Sequence, residues 1–447
     1  MRPCVLLSCV ALAVGVVAWV SCGEEDCRHT LTCSCESNEG CVDLVEPAEC
    51  EQAICNADGV CVPESAPAGT ACSIGTCDGN GTCTQGQGGS GGAGGGAAVL
   101  PYLGLGRSHS CVVLGDHTAR CWGENDRGQL GDTTTDNSNV PVEVFDLSDA
   151  SKVGAGWKHT CIIKSDGVVA CWGDNQYGQL GIGSETNVFS PTPVSMLTNV
   201  AQVDGGDFHT CAVDGNGDAW CWGHNGSGRL GNGTTMNSNV PVAVDVPGTV
   251  SQVACGIEHS CAVTTDGEVY CWGANYTGQL GNDTGMSSPT PVLVAGLSAV
   301  VEVGSSEVFN CALRDNGTVW CWGNGSSGNL GTGNDENSPT PVQVVGLEGA
   351  KDIAVGALHA CAGLTDGSAR CWGLNESGQL GTNVGLSSNV PVKVDNLMGT
   401  IDAIGAGDGH ACVVLESAEV WCWGVNLLGQ LGNGSNTDST SPVKVSL

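Results

Sequence analysis

The sequence predicts an all-β protein, a seven-bladed β-propeller of four strands per blade preceded by a small disulfide-rich module. Three observations carry this prediction. The phrase CWGENDRGQLG at residues 121–131 returns with variations at 171, 221, 271, 321, 371 and 422. Between returns, each copy divides into four short strand-like runs. Glycine supplies 70 of 447 residues with no three-residue period, which excludes collagen and fits short strands joined by tight turns.

Taken in order, residues 1–21 read as a signal peptide. One Arg precedes an apolar run from Val5 to Val20, shorter than the roughly 20 residues that span a bilayer. The ending VSCG, followed by EED, looks like a bacterial lipoprotein signal, in which Cys22 becomes the acylated N-terminus. Trp19 stands where such signals carry Leu, so plain secretion is the alternative. Residues 22–84 form a cysteine-rich knot. Beyond Cys22 it holds ten cysteines, and CNADGVC and CDGNGTC read as turns closed by cysteines. So small and polar a segment needs cross-links in place of a core, and it loosely resembles EGF-like or disintegrin-like knots. Residues 85–98, QGQGGSGGAGGGAA, are a flexible linker.

From Val99 to Leu447 the CWG steps are 50, 50, 50, 50, 50 and 51 residues, so one unit is copied seven times. In 199–246 the four strands read NVAQVDGG, HTCAVD, DAWCWG and VPVAVDV. The second and third are joined by hairpin chemistry, such as SDG at 165–167, where a left-handed Gly167 sets Cys161 directly opposite Cys171. Short strands in a repeated up-and-down meander point to a closed propeller.

These residues resemble a known repeat. VGAGWKHTCII (153–163) followed by DGVVACWGDNQYGQLG (166–181) is similar to the RCC1 (regulator of chromosome condensation) repeat, and the likeness covers residues 99–447. It implies a seven-bladed propeller. The chain departs from the pattern in three ways. A cysteine stands two positions after the His position in every copy, and another precedes Trp-Gly. The fifth copy carries Ser306, Phe309 and Gly325 where the others have Gly, His and Asn. Directly opposed hairpin residues lie within disulfide reach. Seven intrablade bridges are therefore expected: Cys111–Cys121, Cys161–Cys171, Cys211–Cys221, Cys261–Cys271, Cys311–Cys321, Cys361–Cys371 and Cys412–Cys422. Cys255 is left over, as a buried thiol or an intermolecular link. Twenty-eight cysteines with no zinc-type pairing place the chain in an oxidising compartment, as an envelope lipoprotein or a secreted protein.

His109, His159, His209, His259, His359 and His410 recur once per copy. Equal angular spacing around a ring keeps them from converging on one ion, so they read as structural, each bonding neighbouring backbone. Trp122, Trp172, Trp222, Trp272, Trp322, Trp372 and Trp423 are expected to fill the core between blades. The additional Trp220, Trp320 and Trp421 are expected on the opposite face of their strands. The Asp/Asn-rich loops lack the spacing of a calcium loop, and no metal or other cofactor is expected.

What varies between copies is the loop face, where strands one and two and strands three and four connect. Arg107, Arg127, Trp157, Tyr177, Phe208, Ile257, Tyr276, Leu358 and Leu428 fall there. Aromatic anchors on one face point to protein recognition. The net charge of −33, with only 14 Lys and Arg, excludes nucleic acid and anionic membrane surfaces as partners. The leading expectation is a monomeric, non-enzymatic binding protein outside the cytoplasm, touching membrane only through a lipid anchor. Two alternatives stand beside it. The family resemblance implies guanine-nucleotide exchange, which secretion, cystines and acidic charge oppose. A propeller lyase or glycosidase would need paired carboxylates at the axis, and no unique cluster stands out in the sequence.

Overall fold

The computed structural model describes residues 101–447 in full, together with the backbone of five short strands between residues 51 and 84. Residues 1–21, read above as a signal peptide, Cys22, and residues 85–98, read as a linker, lie outside the described residues. In the N-terminal unit, Glu51–Cys55 pairs with Cys61–Ser65, and Ala71–Cys72, Gly75–Cys77 and Cys83–Thr84 form a second small sheet. Its registers set Cys55 opposite Cys61 and Cys77 opposite Cys83, the two cysteine-closed turns read from the sequence.

The rest is a seven-bladed propeller. Each blade is a four-stranded antiparallel sheet whose strands follow chain order from the axis outward. The blades span 102–143, 150–193, 200–244, 250–293, 300–343, 350–393 and 401–444. In blade 3 the strands are Val200–Gly205, His209–Asp214, Ala219–Gly223 and Ser238–Val244. The outer strand starts two residues before the expected Val240 and ends two before Val246. Ser238 pairs with Gly223 across an irregularity in register, and Pro241 is tolerated because this strand is the sheet edge.

The hairpin between the second and third strands explains the cross-links. Its third turn residue is left-handed in every blade, at Gly167 (φ 78°) and even at His117 and Ala418. That turn fixes the register, so the two cysteines oppose one another and all seven predicted disulfides are present, with Cα separations of 4.0–4.1 Å. Cys255 is free and buried. The Gly of each Cys-Trp-Gly is required: at Gly223, φ is 105°, and a Cβ would lie 2.5 Å from the Phe208 carbonyl oxygen.

Side chains of a strand alternate between faces, and the joints follow. At the joint of blades 3 and 4, the Cys211–Cys221 bridge, Leu230 and Val244 pack on Val250, Val253, Ala262 and Trp272. Trp220 and Trp222 both face blade 2, as do Trp421 and Trp423 toward blade 6. The expectation of opposite faces for Trp220 and Trp421 is corrected: residues two apart on a strand share a face. Every CWG tryptophan donates its indole N–H to a loop carbonyl of the preceding blade, as Trp222 does to Gln179 at 2.9 Å.

The histidines complete this joint, with a partner different from the expected backbone. His159 Nε2 meets Thr210 Oγ1 of the next blade at 2.9 Å, and that hydroxyl donates to the Gln179 carbonyl at 2.8 Å. Since the hydroxyl hydrogen is committed, His159 must be the Nε2–H tautomer. His109, His209, His259 and His410 repeat the contact with Thr160, Ser260, Asn310 and Ser110. In blade 5, Phe309 faces the following Ala360 within one apolar cluster, so both polar partners are gone together. Ser306 belongs to the same change, because a Cβ on the usual Gly would collide with the imidazole. His359 is the exception: its Nε2 has no partner, and Ala411 stands where a hydroxyl belongs.

The ring closes by the same joint. Trp122 of blade 1 donates to the Gln430 carbonyl at 2.8 Å, and His410 Nε2 lies 2.8 Å from Ser110 Oγ. No strand is exchanged between the first and last blades.

Candidate functional site

The recurring Asn-x-x-Gly-Gln-Leu-Gly builds the loop face. Asn175 Oδ1 accepts the Leu180 N–H at 3.0 Å, its amide donates to the carbonyls of Ser184 and Thr186, and Gln179 Oε1 accepts the Tyr177 N–H. Leu180 is fully buried beneath the loop. With its frame fixed, the loop can vary at two positions, 126–127, 176–177 and their equivalents. The loop between strands one and two lies alongside, since the Glu124 N–H donates to the Ser108 carbonyl. Both kinds of loop therefore share one face.

Four of the expected face residues meet there: Arg107, Trp157, Tyr177 and Phe208. The Phe208 ring lies 4.9 Å from Trp157 and 5.2 Å from Tyr177, both edge-on. His224 extends the cluster, 4.6 Å from Tyr177. The guanidinium of Arg107 covers Trp157 at 4.8 Å. All four rings are half-buried, so one edge of a continuous aromatic patch on blades 2 and 3 meets solvent. His224 was missed by sequence reasoning. Its signal was the position after Trp-Gly, which reads Glu124, Asp174, His224, Ala274, Asn324, Leu374 and Val425.

The other expected residues stay apart. Tyr276 is 74% exposed and joins no aromatic contact. Arg127 reaches Asp174 at 4.0 Å, and Ile257 contributes its carbonyl to Arg229 at 2.7 Å. Leu358 is half-buried on blade 6. On blade 7, Leu427 is the exposed leucine at 70%, while Leu428 is half-buried, with its N–H bound to Gln430 Oε1. The exposed anchor there is thus Leu427.

Beside the patch opens an axial cavity of about 270 Å³, lined by the inner strands of all seven blades. Its rim carries the residue that follows the recurring glycine, or Ser306 in blade 5: Arg107, Trp157, Asp207, Ile257, Glu307, Ala357 and Asp408. Arg107 Nε holds Asp408 at 2.6 Å, and a terminal nitrogen lies 3.7 Å from Asp207. One guanidinium thus meets two carboxyls, and the charge of Glu307 bears on both of them. Burial raises Asp207 to about 7, helped by the charge on Asp408 and opposed by Arg107. Asp408 is raised to about 6, by burial against the pull of Arg107.

Deeper carboxyls hold the blades together. Asp352 accepts the Ile404 N–H at 2.8 Å, and Asp204 accepts that of Cys255 at 2.8 Å. Glu302 and Asp352 hydrogen-bond to each other, and burial with mutual repulsion raises Glu302 well above the usual range. The sequence reading that no carboxyl cluster stands out is corrected here. The carboxyls are spread over distant copies and gather only when the ring closes.

The six conserved-position histidines remain neutral, because burial lowers them, His159 to about 4 and His410 to about 3. Among the described residues, one group of metal-type donors converges, His209, Cys211 and Cys255. Cys211 is already bonded to Cys221, which leaves too few donors for a tetrahedral zinc site.

Comparison with curated proteins finds no match. Among solved structures, human WBSCR16 is similar at 24% identity, covering 73% of this chain and 93% of its own, with a TM-score of 0.67. Prp20p from Saccharomyces cerevisiae, described with its binding properties to Gsp1p and histones, is 20% identical. That alignment covers 78% of this chain and 88% of Prp20p, with a TM-score of 0.67. At these identities the likeness concerns the fold. Family models add sequence: an RCC1-like domain matches residues 102–307, and the regulator of chromosome condensation (RCC1) repeat matches 316–362, 366–414 and 417–447. With all seven blades so accounted for, the chain belongs to the RCC1-repeat family.

Proposed function

We propose that this chain is a non-enzymatic binding protein acting outside the cytoplasm, whose loop face takes a protein ligand. The observation that carries the reading is the patch of Trp157, Phe208, Tyr177 and His224, held edge to face with solvent on one side. Rigid aromatic rings supply contact area at little entropic cost, and such anchors dominate protein interfaces. The adjoining rim sets the chemistry of the ligand. Three carboxyls against one guanidinium, in a chain of net charge −33, favour a partner segment that brings a Lys or Arg side chain to the axial mouth. Seven disulfides support the compartment.

An enzyme of glycosidase type needs two carboxyls separated by about 5–9.5 Å. The Glu302–Asp352 pair is in hydrogen-bond contact and engaged with backbone, which suits structure instead. The nucleotide-exchange alternative rests on family resemblance and fold, and the acidic, disulfide-bonded blades argue against a nuclear role.

The test is capture from intact cells and culture medium with the full mature chain, against a variant carrying Trp157→Ala, Tyr177→Ala and Phe208→Ala. Loss of a specific captured protein with an unchanged circular dichroism spectrum supports the reading. Equal capture by the variant refutes it.

A further inference from the structure

Cys255 ends the inner strand of blade 4, where the other blades carry Leu105, Ala155, Gly205, Ser305, Val355 and Ala406. No other blade puts sulfur there. The thiol is buried at the joint with blade 3, in one core cluster with Cys211 and Cys221. Its sulfur, the sulfur of Cys211 and a ring nitrogen of His209 all lie within 4.8 Å of one another. Cys211 is bonded to Cys221. A disulfide and a free thiol therefore face each other across a blade boundary.

The surroundings add a second observation. His209 is fully buried, its Nδ1 has no partner, and its Nε2 is 2.8 Å from Ser260 Oγ. Ser260 Oγ in turn lies 3.7 Å from Cys211 Sγ. The Cys255 thiol donates to the Asp204 carbonyl at 3.5 Å, and Cys255 also borders the axial cavity. A buried, neutral imidazole thus stands with a ring nitrogen within 4.8 Å of both sulfurs.

We propose that the blade 3–4 joint carries two alternative disulfides, and that Cys255 replaces Cys221 as the partner of Cys211. Cys255 Sγ, as thiolate, attacks Cys211 Sγ. The Cys211–Cys221 bond breaks as the Cys211–Cys255 bond forms, and Cys221 leaves as thiolate. The proton given up by Cys255 ends on Cys221. One disulfide and one thiol stand on each side of the exchange, so no oxidant or reductant is consumed. The product is a covalent tie between neighbouring blades. It lies beneath the rim, with Cys255 two residues from Ile257 and Cys211 three residues from Phe208 of the aromatic patch. Burial and the neighbouring Asp204 carboxyl hold the Cys255 thiol protonated, so the exchange belongs to the slow range of minutes to hours.

The experiment uses the full chain, purified without reductant and sampled over hours at neutral pH. Each sample is denatured in acid with N-ethylmaleimide, digested and mapped by mass spectrometry. The expected result is a growing peptide pair joined through Cys211 and Cys255, with the maleimide mass moving from the Cys255 peptide to the Cys221 peptide. If every Cys211 stays joined to Cys221 and every Cys255 stays alkylated at all times, the proposal is overturned. The Cys221→Ser variant asks separately whether the two sulfurs can meet. Folded protein, verified by circular dichroism and treated with oxidised glutathione, should close Cys211 to Cys255. Separate glutathione adducts on the two cysteines would overturn it. Should that variant not fold, the time course on the unmodified chain decides alone.

Discussion

The missing hydroxyl at the blade 6–7 joint gives a prediction of increased stability. At the joints served by His109, His159, His209, His259 and His410, a side chain of the next blade accepts from Nε2 and donates to the loop carbonyl beside the tryptophan. At His359 neither bond exists: Nε2 is unpartnered, and the Gln379 carbonyl receives only Trp423, at 2.8 Å. Ala411 sits opposite Trp423 in the register that Thr210 has with Trp222. A serine hydroxyl at 411 can therefore make both bonds, each contributing about 1 kcal/mol net. Ala411→Ser is expected to stabilise the propeller by about 1–2 kcal/mol. With an unfolding entropy of roughly 2.1 cal/mol/K per residue over about 350 residues, that raises Tm by about 1.5–3 °C. Urea midpoints and scanning calorimetry measure it. In a His359→Phe background the serine keeps only its bond to the Gln379 carbonyl, so the gain should fall to about half. An Ala411→Ser chain no more stable than the parent, or a gain undiminished by His359→Phe, would refute the joint as described.

Three further outcomes follow from the blades. Burial lowers His159 to about 4, whereas the unfolded imidazole titrates near about 6.5, so its stabilisation is complete above that value and is lost as pH falls toward 4. His159→Gln keeps a donor toward Thr210 and should make the acid side of the stability curve shallower by about 1.4 kcal/mol per pH unit; an unchanged slope in urea titrations counts against it. Replacing Cys161 and Cys171 together by Ala opens a loop of sequence separation 10, at a cost of about 3 kcal/mol in urea unfolding, and an unshifted midpoint would show that the bridge adds nothing. Gly223→Ala places a Cβ against the Phe208 carbonyl at positive φ, so a loss of about 1–3 kcal/mol is expected by the same measurement.

Much of the fold was legible because its causes are local. The ten-residue separation and the three-residue turn fix one hairpin register, and the cystines follow from it. The period told how many units there are. Relations between blades were harder. The histidines were recognised as structural, yet their partners lie about 51 residues away, and the sequence signal was the Ser, Thr or Asn that follows His in the next copy. Of the three departures in the fifth copy, Ser306 and Phe309 join Ala360 of the next copy in one substitution of a polar contact by an apolar one, read across a boundary, and nothing in the structure ties Gly325 to it. For the face, loop variability picked out Trp157, Tyr177 and Phe208, but only the adjacency of blades 2 and 3 shows that they touch while Tyr276 does not. The rim carboxyls, about a hundred residues apart in the chain, were invisible for the same reason.

The seam between the last blade and the first has a consequence for how such a chain can be cut or extended. Trp122 and His410 make there the bonds made at the other joints, and every sheet is drawn from one uninterrupted stretch. The order of the copies is therefore closer to a bracelet than to a sentence: new termini opened between any two links would leave each link whole. Gain or loss of a link would change the angle each one must subtend without rewriting the clasp.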